Sequence, residues 1–143
     1  MGNKRSQQHS NSYKEKNMKK GILKTNGVHL EAHEFSTVHL LIENGYNIEL
    51  IPPSQIEGMR TPDMVMNGSI WEMKSPDGGS KQTIKNNIQN AKHQACNMIL
   101  DLRRCKVPEA QALKDAEMHF KLSKRLRKLK IITKDEKILD FSK

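Results

Sequence analysis

Residues 61–76 read TPDMVMNGSIWEMKSP, and the pair Asn67-Gly68 at their centre decides how they fold. Asn-Gly between two apolar runs is the strongest short-range hairpin signal, because a type I′ turn needs positive φ at both central residues. A two-residue turn also fixes the register. Met66 then faces Ser69, Val65 faces Ile70, Met64 faces Trp71 and Asp63 faces Glu72. Side chains alternate along a strand, so Asp63, Val65, Ile70, Glu72 and Lys74 share one face. Met64, Met66, Trp71 and Met73 share the other, where Trp71 is expected to be buried in a sheet covered by helices on both sides. Directly opposed Cβ atoms lie roughly 4.5–5.5 Å apart. The two carboxylates meet by construction, with Lys74 just beyond them. Opposed like charges destabilise a sheet, and a divalent cation between them reverses the sign. Mg²⁺ takes one or two carboxylates and keeps several waters that a phosphate can replace. The same geometry also admits a bland reading, an acidic pair on a solvated sheet edge neutralised by Lys74.

The flanking segments complete a mixed α/β pattern. Leu30, Glu34, Val38 and Leu41 fall on one helical stripe between Leu30 and Asn44, and Gly45 closes that helix. Residues Tyr46 to Ile51 alternate as a strand that ends at Pro52-Pro53. A second helix is expected from Ser80 to Ala95, with Ile84, Ile88, Ala91 and Ala95 buried, followed by a short buried strand at 97–102. Pro108 opens a third helix, expected to reach Lys128, whose end KLSKRLRKLK is strongly basic. KIIT and KILDF then form a terminal hairpin around Asp135-Glu136. The predicted order is α-β-ββ-α-β-α-ββ.

The 143 residues suit one domain with a real core. Residues 1–20, rich in Ser, Asn, Gln and Lys, are expected to be a disordered basic tail or linker, leaving 21–143 as the folded domain. No apolar run approaches the ~20 residues that cross a bilayer, and the amino terminus lacks the apolar core of a secretory signal. Neither a membrane partner nor a membrane location is expected. Cys96 and Cys105 lack metal-finger spacing and read as reduced thiols, which suits a cytoplasmic site of action.

The net charge of +9 is unevenly spread. Residues 103–134 hold eleven Lys/Arg against three acids, whereas residues 21–102 hold six against nine. Basic flanks around an acidic centre suit a polyanion held over a cation-binding middle. Arg125, Arg127, Lys128 and Lys130 make a natural phosphate-binding patch at the expected end of the third helix. His29 and His33 are four apart on the first helix but have no third ligand for zinc. His93 and His119 read as helix-surface residues.

Helix, three strands, helix and strand, with Pro62-Asp63 and then Glu72-Met73-Lys74 on adjacent strands, resembles the PD-(D/E)XK nuclease superfamily. The longer run GYNIELIPP, TPDMVMNGSIWEMKSP and GSKQTIKNNIQNAKHQACNMILDL is similar to the C-terminal tRNase domains of contact-dependent growth inhibition toxins, the CdiA C-terminal family. The resemblance implies a restriction-endonuclease-like αβββαβ core, followed here by the basic helix and the hairpin. It implies Asp63 and Glu72 as metal-binding acids, with Mg²⁺ as the expected ion and Mn²⁺ or Zn²⁺ as substitutes. It implies Lys74 as the lysine that positions or activates the attacking water. Glu34, or Glu31 in its place, would complete the cluster. Ser75, Ser80, Lys81, Thr83, Asn87 and Gln94 would contact substrate or support the metal ligands. The implied function is metal-dependent hydrolysis of RNA, most naturally tRNA, by a toxin delivered into target cells and matched by a cognate immunity protein. The scarcity of aromatic residues also favours recognition of a folded RNA shape over base stacking on a single strand. A DNA endonuclease on the same scaffold and a non-catalytic basic RNA-binding protein are the competing readings.

Overall fold

The computed structural model describes residues 19–143, so the expectation of a disordered tail falls almost wholly outside them. Among the described residues ten elements follow in order: β1 (Leu23–Lys24), α1 (Ala32–Glu43), β2 (Ile48–Leu50), β3 (Met64–Met66), β4 (Ser69–Lys74), α2 (Thr83–Ala91), β5 (Asn97–Asp101), α3 (Glu109–Leu122), β6 (Lys128–Ile132) and β7 (Ile138–Ser142). The strands form one seven-stranded mixed sheet in sequence order. Pairing is antiparallel for β2–β3, β3–β4 and β6–β7, and parallel for β1–β2, β4–β5 and β5–β6. The two parallel connections after β4 each need a crossover, which α2 and α3 supply.

The hairpin follows the register that Asn67-Gly68 imposes. Both residues have positive φ, 47° and 87°, and Met64 pairs with Trp71, Val65 with Ile70 and Met66 with Ser69. Met64, Met66, Trp71 and Met73 are all buried on the face that α1 covers with Val38 and Leu41. The opposite face is covered by α2 and α3 through Ile84, Ile88, Ala112, Ala116 and Phe120, packed on Met98, Leu100, Leu129 and Ile131. Helical cover on that second face does not reach the hairpin turn: Ile70 is 49% exposed. The expectation of a sheet fully covered on both sides is corrected there.

Two further differences from the sequence pattern have local causes. The third helix ends at Leu122 rather than Lys128, because Ser123 turns extended (ψ 130°) and its hydroxyl accepts the Arg125 and Leu126 amides at 3.3 and 3.2 Å. The basic run beyond it has period two, not 3.6. Leu129 and Ile131 are buried under α3 while Lys128 and Lys130 point to the other face, and the segment pairs in parallel with β5. The other new element is β1, two residues long and parallel to β2, which the sequence pattern did not reveal.

Helix α1 is fixed at both ends. Glu31 caps it in a reciprocal capping box with Glu34. In its second turn Thr37, fully buried, donates to Asp101 Oδ2 at 2.6 Å, and Arg103 closes on the same carboxylate at 2.8 Å. That clamp ties α1 to the end of β5 and so sets where Glu34, one turn earlier, lies. Gly21 packs main chain against main chain, donating to Ile42 O at 2.8 Å. A Cβ there would lie 1.7 Å from the Tyr46 carbonyl oxygen. Gly21→Ala is therefore expected to lower stability by about 1–3 kcal/mol, the usual cost of overpacking, read as a lower midpoint in urea unfolding.

Candidate active site

Asp63 stands one residue before β3, and its backbone carbonyl still accepts the Ile51 amide at 3.0 Å. Its side chain turns across to β4, where Oδ2 accepts the Met73 amide at 2.8 Å. Glu72, one residue earlier on β4, is buried (2% exposed). The two carboxyls lie within hydrogen-bonding reach of each other. Lys74, two residues on and therefore on the same face, places its ammonium 3.2 Å from Glu72 Oε2. The remaining oxygen, Glu72 Oε1, is buried with no donor facing it. Buried polar atoms rarely go unpaired.

The electrostatics follow from that placement. Burial pushes the Glu72 carboxyl up to about 8, the Asp63 charge adds to the push, and the Lys74 ammonium opposes it. Burial also raises Asp63, against the pull of the Met73 amide, the Glu72 hydrogen bond and Lys74, while the Glu34 charge adds to the rise. Both shifts favour a proton on the pair, rather than two charges, in the metal-free protein. The carboxylate oxygens of Asp63 and Glu72, with Glu72 Oε1 unpartnered, are the oxygen ligands that a hard divalent cation takes, whereas the Lys74 ammonium cannot ligate it.

The other predicted residues separate into groups. Glu34 lines one cavity of about 280 Å³ together with Asp63, His29, Met59 and Thr61. Its Oε1 also accepts the Glu31 amide at 2.9 Å. Glu31 itself is exposed and its carboxylate lies 3.6 Å from His33 Nδ1. Gln94, in the turn after α2, accepts from Lys74 Nζ at 3.2 Å and so shares the lysine with Glu72. Ser75 meets Arg104, whose Nε lies 2.9 Å from its carbonyl and 3.1 Å from its hydroxyl. Arg104 escaped the sequence reading because nothing local to it marks a contact 29 residues away. Ser80 and Thr83 bond each other at 3.1 Å, and Asn87 donates to the Thr83 carbonyl at 2.8 Å. These three are engaged in local structure at the start of α2. Lys81 is exposed at the same end. Arg125 and Arg127 are exposed between α3 and β6, whereas Lys128 and Lys130 lie in β6, so these basic residues do not sit at a helix end. Among the described residues no three His, Cys, Asp or Glu side chains form a ready metal cluster, and none of the helices is long and apolar enough to cross a membrane.

Comparison with known proteins places the chain in a family. No curated protein matches the chain. Among solved structures, a chain of the CdiA-CT/CdiI toxin and immunity complex from Burkholderia pseudomallei is similar in fold, with a TM-score of 0.64 at 20% identity. The alignment covers 86% of this chain and 100% of that one. Residues 60–138 match the contact-dependent growth inhibition CdiA C-terminal domain, a span that includes Asp63, Glu72, Lys74 and Gln94. With more than half of its length matched, the chain belongs to the CdiA C-terminal domain family of contact-dependent growth inhibition.

Proposed function

We propose that this chain is a toxic effector acting as a metal-dependent endoribonuclease, with tRNA as its substrate. The observation that carries the reading is the buried Asp63–Glu72 pair with its unpartnered Oε1 and the Lys74 ammonium beside it. A purely structural role leaves this arrangement unexplained, since two buried acids with one unsatisfied oxygen cost stability. Asp63 and Glu72 would hold the metal, Mg²⁺ by preference, with Glu34 contributing from across the shared cavity. When bound, a divalent cation supplies an activated water and positive charge toward a scissile phosphate.

The chain's own residues supply the rest. Lys74 offers a fixed cation on the same face, oriented between Glu72 and Gln94. There it stabilises negative charge that grows on the phosphate oxygens as the bond to the leaving group breaks. Gln94 keeps the ammonium from collapsing wholly onto Glu72. The Met73 amide holds Asp63 in the orientation that faces Glu72. The basic residues from Arg103 to Lys134 bind the RNA backbone electrostatically, independent of sequence.

The family and the fold support an effector delivered into target cells and acting in their cytoplasm. A cognate immunity protein would guard the producing cell, as the similar Burkholderia chain was solved in a toxin and immunity complex. Incubating the protein with total tRNA and with plasmid DNA, each with Mg²⁺ or EDTA, tests the proposal. Discrete tRNA fragments that appear only with the metal are the expected result. DNA nicking without RNA cleavage would assign the DNA-endonuclease reading instead, and binding without any cleavage would leave a basic RNA-binding protein.

A further inference from the structure

The face of the sheet opposite Asp63 and Glu72 carries a second cavity, of about 310 Å³, near the hairpin turn. Tyr46, Ser69, Trp71, Lys128, Lys130 and Ser142 contribute to its wall. The Trp71 indole N–H is buried and has no acceptor. A buried donor left unpaired costs stability, and a buried tryptophan ordinarily finds a partner for it.

Lys130 is held in place at the cavity's edge. Its ammonium donates to Tyr46 Oη at 3.0 Å and to Asp140 Oδ1 at 2.5 Å. It also lies 4.6 Å from the centre of the Tyr46 ring and 5.5 Å from that of Trp71. Burial disfavours its charge, but the bonds to Asp140 and Tyr46 outweigh burial and raise its pKa above that of an ordinary lysine. An ammonium has three donors, so one remains beyond those two bonds. Lys128, two residues earlier and on the same face, is exposed and has no ion-pair partner among the described residues.

The wall therefore carries more positive than negative charge. Two ammonium groups stand against the single carboxylate of Asp140, and the hydroxyls of Ser69 and Ser142 can add further donors. A planar carboxylate has two oxygens, whereas a phosphoryl group presents three or four in a tetrahedral arrangement and suits donors that approach from several sides. We propose that this cavity is a phosphate-binding subsite that takes the phosphoryl group of a nucleotide, free or within RNA, with the Lys128 and Lys130 ammonium groups as its donors. The subsite lies across the sheet from the acidic pair and does not depend on that pair being catalytic.

Trp71 is the only tryptophan in the chain and lines this cavity, so its fluorescence reports a change there. The full chain, kept in EDTA so that RNA is not cut, is titrated with inorganic phosphate, 5′-AMP, tRNA and glutamate at constant ionic strength. A saturable change in Trp71 emission is expected. Saturation by phosphate and AMP identifies a free-nucleotide site, and saturation by tRNA alone identifies a contact to the RNA backbone; either supports the inference. Lys128→Gln should weaken the response about fivefold, the upper range for an exposed charge contact, and Lys130→Gln should abolish it. Lys128 is exposed, so its variant keeps the test valid even if Lys130→Gln perturbs the fold. An equal response to glutamate would overturn the inference in favour of a carboxylate from a protein partner. It is equally overturned if no probe changes the emission, or if Lys128→Gln titrates like the wild type.

Discussion

Glu72→Gln is expected to reduce tRNA cleavage by at least about a hundred- to a thousandfold, the scale on which removing one group that acts on the transition state is felt, while tRNA affinity stays within about twofold of wild type. The substitution keeps the shape of the side chain and removes only its capacity to carry charge. Under the proposed mechanism affinity should survive, because most of it would come from phosphate contacts to basic residues elsewhere, whereas Glu72 would act where charge develops. Asp63→Asn and Lys74→Ala should behave in the same way, the lysine variant through loss of the ammonium that Glu72 and Gln94 orient. Gln94→Ala should be milder, lowering the rate while leaving RNA binding unchanged. Single-turnover cleavage of labelled tRNA, alongside filter binding in EDTA, separates the two quantities. Wild-type cleavage in Glu72→Gln would end the proposed role of the pair, and full activity in Lys74→Ala would remove that residue from the mechanism.

Without metal, the folded protein should lose stability as pH rises from the ordinary glutamate range toward 8. Below about 4.5 the Glu72 carboxyl is protonated whether the chain is folded or not. Between 4.5 and about 8 the unfolded chain releases that proton and the folded chain keeps it. The folded state then binds more protons, so stability falls with pH, by up to about 1.4 kcal/mol per pH unit for one proton, and levels off above 8. Asp63, also raised, contributes with the same sign. Urea unfolding in EDTA across this range should show the decline, and Glu72→Gln should flatten it. Adding Mg²⁺ or Mn²⁺ should reverse the effect, because a bound cation stabilises both carboxylates in charged form and expels the proton. Calorimetry near pH 7 in buffers of different ionisation enthalpy should register release of roughly one proton per metal bound. A pH-independent midpoint in the metal-free protein would mean that the pair is solvated and ordinary.

The hairpin was legible because its determinants are local. Asn67-Gly68 can form a two-residue turn at positive φ, and that turn alone puts Met64 against Trp71, while Asp63, one residue before β3, reaches the Met73 amide beside Glu72. The helical period of Val38 and Leu41, and of Ile84 and Ile88, likewise belongs to single segments, and those stripes are buried. The basic run after Ser123 was misjudged because its charges mask a two-residue alternation that only packing under α3 reveals. A strand as short as β1 carries too few residues for any pattern, and its parallel pairing with β2 is a long-range contact. The electrostatic state of the site also belongs to the tertiary structure. Sequence places two acids and a lysine on one face, but the raised carboxyl of Glu72 requires its burial, a property of the whole sheet and its helices. The same holds for Gln94 on Lys74 and for Lys130 between Tyr46 and Asp140, pairs separated by 20, 84 and 10 residues. Turn chemistry and side-chain periodicity act over a few residues and can be read along the chain, whereas burial and charge coupling arise only where distant segments meet.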